Sequence, residues 1–85
     1  MSKSGVGKIQ NIGQDISSGQ TVVYCVGTSA EIADAKFSLR IPEGEYALYS
    51  VDIAKKLRGK TVLFSYLSMN DMRIPRSITF KAVLE

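Results

Sequence analysis

Hydrophobic and polar residues alternate in several short segments of this chain, a pattern typical of strands with one buried face. The clearest segment is 35–41, in which the apolar residues Ala35, Phe37, Leu39 and Ile41 alternate with Lys36, Ser38 and Arg40. Segments 21–26, 61–67 and 77–84 are rich in β-branched and aromatic residues, and each predicts a further strand. A weaker pattern over 8–12 predicts the first strand, so the chain is expected to contain five.

A different period marks the segment between the third and fourth predicted strands. Apolar residues recur there at spacings of three and four and predict an amphipathic helix over about 46–57, with a stripe of Tyr46, Tyr49, Ile53 and Leu57. Its ends carry charges that complement the helix dipole, acidic first and basic last: Glu43, Glu45, Lys55, Lys56 and Arg58. Gly59 is expected to end the helix in a left-handed conformation.

The order of these elements, three strands, one helix and two more strands, predicts the fold class. It favours a mainly β protein, a five-stranded OB barrel with one α-helix between strands 3 and 4, in a single domain over 1–85. A polar loop over 68–75 is predicted to join the last two strands. Because OB barrels bind oligosaccharides and oligonucleotides, the fold favours a binding function over catalysis.

The amino-acid composition excludes several kinds of catalytic and metal site. The chain has no histidine, which excludes Ser-His and Cys-His nucleophilic catalysis and most zinc sites. Its one cysteine, Cys25, cannot form an intrachain disulfide and lies in an apolar strand, so a buried and unreactive thiol is expected. We find no catalytic constellation and predict a protein that is not an enzyme and needs no metal or cofactor.

Length and charge also bear on the partners. No apolar run approaches the roughly 20 residues that span a bilayer, and the first residues lack the apolar core of a secretory signal. A net charge of +3 is compatible with an anionic partner.

Two groups of residues are candidates for ligand contact. Tyr66 ends a predicted strand beside a polar loop, where an aromatic ring can pack on a sugar while its hydroxyl forms hydrogen bonds. On strands two and three, aromatic rings for stacking bases and cations for phosphates are brought close together in Tyr24, Lys36, Phe37 and Arg40. Phe37 also shares a face with Leu39 and Ile41, which favours a core residue over a ligand contact.

Several short motifs are spread over most of the chain: Ser4-Gly5-Val6, Gly13-Gln14, Val23-Tyr24-Cys25-Val26, Leu48-Tyr49, Gly59, Val62 and Tyr66. Together they resemble the receptor-binding B subunits of AB5 toxins of the subtilase cytotoxin and typhoid toxin type. The family's second-strand cysteine, matched by Cys25, pairs with a third-strand cysteine that this chain lacks.

The resemblance implies an OB barrel that assembles into a homo-oligomer, a ring of five, with the helices lining a central pore. It implies binding of a sialylated glycan receptor through Ser4 and Tyr66. Beside these two residues, we expect Arg73 or Arg76 near the carboxylate of the ligand. The resemblance further implies an enzymatic A subunit as a possible partner and a secreted protein; without the resemblance, a cytoplasmic protein is expected.

Two alternatives remain open at this point. One is a small OB protein that binds single-stranded nucleic acid through Tyr24, Lys36, Phe37 and Arg40. The other is an oligomeric interaction module with no small ligand.

Overall fold

Five antiparallel strands form one sheet in the order β3-β2-β1-β4-β5. A computed structural model describes residues 2–67 and 76–84. In chain order its elements are β1 (Ser2–Gln14), β2 (Thr21–Gly27), a short 3-10 helix (Ala30–Ile32), β3 (Lys36–Arg40), α1 (Val51–Leu57), β4 (Thr61–Leu67) and β5 (Arg76–Leu84). The prediction of five strands, with one helix between the third and the fourth, is therefore confirmed. The predicted loop over 68–75 lies outside the described residues.

The first strand is much longer than its hydrophobic pattern predicted. It extends back to Ser2, and its early inward positions are Gly5 and Gly7 rather than large apolar residues. A Cβ atom at Gly5 would lie 2.8 Å from the ring of Phe64 and 2.9 Å from that of Tyr66. The early part of the strand carries glycine because aromatic rings lie against its backbone, from β4 at Gly5 and from β3 at Gly7. This is why alternation alone did not reveal it.

One side of the sheet forms the hydrophobic core. Alternate residues of each strand point inward, so Val23 and Cys25 of β2 pack with Val62 and Phe64 of β4. The predicted inward face of the third strand is confirmed, since Leu39 is buried and Phe37 packs half-buried against the core.

The two edge strands, β3 and β5, approach each other, with Cα atoms within 8 Å. Irregular pairing bends the sheet between Ile9 and Asn11 of β1, and again between Leu63 and Phe64 of β4. Within the described ranges no strand pairing joins β3 to β5, so the sheet is bent but not closed by hydrogen bonds.

The helix is shorter than the prediction of 46–57 and begins at Val51. Residues 47–49 instead bond to the β1–β2 hairpin: the Thr21 amide donates to the Ala47 carbonyl at 2.9 Å, and the Tyr49 amide donates to the Gly19 carbonyl at 3.1 Å. These hydrogen bonds use backbone groups of residues 47–49 that would otherwise pair within a longer helix.

The true helix start has its own signal in the sequence. Ser50 is extended (φ −153°, ψ 165°), and its Oγ accepts a hydrogen bond from the Ile53 amide at 3.1 Å. The predicted helix-start role of Glu43 and Glu45 is therefore wrong, and Asp52 is the acidic residue of the first turn. Gly59 follows the helix with φ +79°, as predicted.

No helix in the described part of the chain is both long enough and apolar enough to span a membrane.

Candidate functional site

A small depression lies where the start of β1, the end of β4 and the 3-10 helix meet. It has a volume of about 220 Å³ and is lined by Lys3, Ser4, Ser29, Glu31 and Tyr66. Two of the four site residues predicted from the sequence, Ser4 and Tyr66, thus border the same depression.

Glu31 lies at the centre of the polar contacts. The Lys3 ammonium donates to both of its carboxylate oxygens, at 2.9 and 2.8 Å. The Tyr66 hydroxyl donates to Glu31 Oε2 at 3.2 Å. One carboxylate therefore holds a cation from β1 and a phenol from β4.

These contacts shift the acid–base properties of all three side chains. The hydrogen bonds from Lys3 and then Tyr66 lower the pKa of Glu31, and the same contact raises the pKa of Lys3. Burial, followed by the hydrogen bond to Glu31, raises the pKa of Tyr66. At neutral pH the depression therefore contains an ammonium, a carboxylate and a protonated phenol.

The segment that carries Glu31 is attached to β1 by hydrogen bonds. The Val6 carbonyl accepts from the Thr28 amide at 2.8 Å and from the Ser29 amide at 3.3 Å, while the Val6 amide donates to Ser29 Oγ at 3.3 Å. Ile32, at the end of the 3-10 helix, is only 2% exposed and belongs to the core. The position of Glu31 is thus set by bonds on one side and by packing on the other.

Tyr66 is not the exposed ring that the sequence predicted. It is 4% exposed, and its ring packs against Phe64 with the ring centroids 5.8 Å apart. The correction follows from strand alternation, which turns Tyr66 to the same inward face as Phe64. Only its hydroxyl end is placed to meet a ligand.

Strand register decides which part of Ser4 faces the depression. It pairs with Ser65, whereas the adjacent Lys3 pairs with Tyr66, so alternation turns the Ser4 side chain to the opposite face from Tyr66. The Val6 amide and carbonyl face residues 28 and 29. Ser4 lies two residues before Val6, and residues two apart in a strand direct their amide and carbonyl groups to the same side, so the Ser4 backbone groups also face this segment. We therefore assign the contribution of Ser4 to its backbone rather than to its hydroxyl.

The predicted arginines are not part of this geometry. Arg73 lies outside the described residues, and Arg76 begins β5 opposite Leu67 while its side chain lies outside the described part. Sequence reasoning also missed Lys3, Ser29 and Glu31. Glu31 is 28 residues from Lys3 and 35 from Tyr66, so no local spacing could have revealed the cluster.

A larger open groove, of about 420 Å³, lies elsewhere, across β1, β2 and β3. Its lining includes Tyr24, Lys36 and Phe37, three of the four residues proposed for nucleic acid, together with Gln10, Asn11, Cys25, Val26 and Ser38. The fourth residue, Arg40, forms an ion pair with Asp15. Cys25 is 2% exposed, and burial raises its pKa to about 12, so the thiol stays protonated.

Comparisons of the chain with protein-family models, curated proteins and solved structures find no significant match.

Proposed function

We propose that this chain is a non-enzymatic, oligosaccharide-binding subunit whose ligand occupies the depression around Glu31. The observation that carries the proposal is the concentration of a carboxylate, an ammonium, a phenol hydroxyl and a serine in about 220 Å³. Typical small-molecule pockets measure roughly 300–1,000 Å³, so the depression suits one terminal sugar ring rather than a long chain.

The polar groups keep bonding capacity for a ligand. Lys3 has three N–H donors and uses two on Glu31, which leaves one for the carboxylate of a sialic-acid-type sugar. The Glu31 carboxylate offers about four acceptor positions, of which the described residues occupy three, so a sugar hydroxyl can donate to the fourth. Ser4 and Ser29 border the same space.

We further propose that the bent sheet acts as an OB-type barrel and that several copies associate, as in a ring-forming receptor-binding subunit of a toxin-like assembly. In support, Leu48 and Val51 are 71% and 64% exposed at the start of the helix. Large apolar side chains exposed this close together favour burial against another chain.

Titration of sialylated oligosaccharides, followed by calorimetry or by amide shifts in NMR spectra, tests the proposed site. Tyr66→Phe removes only the hydroxyl and is expected to weaken binding by roughly 2- to 10-fold, the value of one hydrogen bond. Glu31→Gln removes the charge that holds Lys3 and Tyr66 and should weaken binding more. Glu43→Gln, an exposed acid away from the depression, is the matched control.

Folding must be separated from binding in this experiment. Tyr66→Ala would remove a buried ring at a cost of about 3–5 kcal/mol, so a loss of binding in that variant would say nothing about the site. The proposal fails if Tyr66→Phe and Glu31→Gln fold normally and bind sialylated oligosaccharides as tightly as the Glu43→Gln control.

A further inference from the structure

A second recognition surface lies on the outer face of β1, β2 and β3, roughly 20 Å along β1 from Ser4. Cross-strand register places its residues in three rows. They are Lys8–Val26–Lys36, Asn11–Tyr24–Ser38 and Gly13–Val22–Arg40. We call this the outer face, and we propose that it binds single-stranded nucleic acid, independently of the oligosaccharide proposed above.

Tyr24 is the aromatic platform of the outer face. It is 48% exposed although it lies in the middle of a strand. A Cβ atom at Gly13 would lie 3.3 Å from Cε2 of the Tyr24 ring, so the ring rests close to the bare backbone of β1. The ring is thus supported from below and open to solvent, which is the arrangement on which a base can stack.

The charges around Tyr24 are cationic. Lys8 and Lys36 both lie opposite Val26, so their backbones are roughly 10 Å apart across β2. Both are exposed, and among the described residues neither forms an ion pair. The nine positions in the three rows include no carboxylate, and the Asp15 carboxylate near Arg40 is already paired with it.

Amide side chains complete the surface. The irregular pairing between Ile9 and Asn11 leaves Gln10 and Asn11 both exposed at the edge of the groove. Side-chain amides carry a donor and an acceptor and can pair with base edges.

The two surfaces of the molecule therefore favour different ligands. The depression around Glu31 contains a carboxylate suited to sugar hydroxyls, whereas the groove on the outer face combines an aromatic ring with a lysine and no carboxylate. An aromatic platform flanked by unpaired cations is the combination with which proteins hold single strands without strong sequence preference.

Fluorescence anisotropy with a labelled oligothymidylate of about 12 nucleotides tests the proposal, since one module of this kind covers roughly 4–16 nucleotides. Tyr24→Ala should weaken binding by about 5- to 150-fold, the loss expected for one stacked base, whereas Tyr24→Phe should retain it. The affinity should fall between about 50 and 200 mM salt, with a logarithmic slope near −1.4 for two phosphate contacts.

The phosphate contacts of Lys8 and Lys36 are tested through the salt dependence of the affinity. Lys36→Gln and Lys8→Gln should each reduce the magnitude of the slope by about 0.7, whereas Lys55→Gln, an equal charge change on the helix, should leave it unchanged. If Tyr24→Ala fails to fold, the salt slopes of Lys36→Gln and Lys8→Gln still decide the question.

Three results would overturn the proposal. The wild-type protein does not bind the oligothymidylate, or Lys55→Gln lowers the slope as much as Lys36→Gln, or the groove binds an oligosaccharide in preference to the oligonucleotide. Tyr66→Phe should leave oligonucleotide binding unchanged, so failure of the glycan proposal is distinguishable from failure of this one.

Discussion

Glu31 is the residue on which the proposed sugar site depends. Its carboxylate joins the first strand, through Lys3, to the fourth strand, through Tyr66. The ion pair is exposed, with 39% of the Lys3 side chain and 59% of the Glu31 side chain accessible, so water weakens its electrostatic contribution to stability. We therefore infer that Glu31 positions the Lys3 and Tyr66 donors more than it stabilises the fold.

The lowered pKa of Glu31 predicts a specific pH dependence. Because its folded-state pKa is below the ordinary value of 4.5, the stabilisation is complete above that value and is lost as pH falls through the folded-state pKa. Urea unfolding at pH 7 and pH 3 should show a smaller loss of stability in Glu31→Gln than in the wild type.

The Glu31→Gln variant should still lose some stability between pH 7 and pH 3. Hydrogen bonds from Ser17 lower the pKa of Asp15 as well, so Asp15 titrates in the same direction. Glu43→Gln serves as the control and should behave as the wild type does. Equal acid sensitivity in Glu31→Gln and the wild type would show that the contacts of Glu31 do not survive in solution.

At the scale of elements, Gly27 sets the position of the 3-10 helix. It ends β2, and a Cβ atom there would collide with the carbonyl oxygen of Ile32. The Asp34 amide donates to the Gly27 carbonyl, and the Gly27 amide donates to the Ala35 carbonyl, so the backbone turns tightly around this point.

Gly27→Ala should therefore affect both stability and the sugar site. The backbone must move to relieve the clash, at a cost of about 1–3 kcal/mol measured by urea unfolding. The movement also displaces Glu31, so oligosaccharide binding should weaken in the folded fraction. Gly13→Ala is the control: its Cβ would lie 3.3 Å from the Tyr24 ring, at the other end of β1 from the depression, and it should leave oligosaccharide binding unaltered. Unchanged binding in the Gly27→Ala variant would contradict the positioning role.

The start of α1 gives a second prediction at this scale. Ser50→Ala removes the acceptor for the Ile53 amide and should lower the free energy of unfolding by about 1 kcal/mol. Ser50→Asp keeps an acceptor there and should retain most of the stability. Thermal unfolding of the two variants checks this. Equal melting temperatures for Ser50→Ala and Ser50→Asp would show that Ser50 does not cap the helix.

At the scale of the whole molecule, the proposed ring predicts that the apolar side chains at the start of the helix are buried between copies of the chain. Light scattering behind a sizing column should give a mass near five times the 9.3 kDa of one chain. The double variant Leu48→Ser/Val51→Ser should shift that mass toward one chain, because both side chains are mostly exposed in the single chain.

Ile16→Ser is the matched control for the double variant. Ile16 is 96% exposed in the β1–β2 turn, so this change also removes an exposed apolar side chain but should leave the mass unchanged. A wild-type mass of one chain would rule out the proposed ring, while the binding predictions for each surface would still stand.

Much of the fold follows from local pattern. Alternation located the third strand because it has one buried face, as Phe37 and Leu39 illustrate. A high content of β-branched and aromatic residues located the second, fourth and fifth strands. The spacing of Ile53 and Leu57 located the helix, and Gly59 its end. These features depend on neighbours within a few residues, so they can be predicted from the sequence by itself.

What only the tertiary structure decided involves contacts between distant segments. The early part of β1 is a strand because rings of β4 pack on Gly5, and 47–49 is not helical because the β1–β2 hairpin bonds to it. Tyr66 was identified from the sequence, but its burial and its bond to Glu31 depend on the register between strands and on a turn 35 residues away. Hydrophobic periodicity determines which residues can be buried, whereas the pairing of strands determines which polar groups meet.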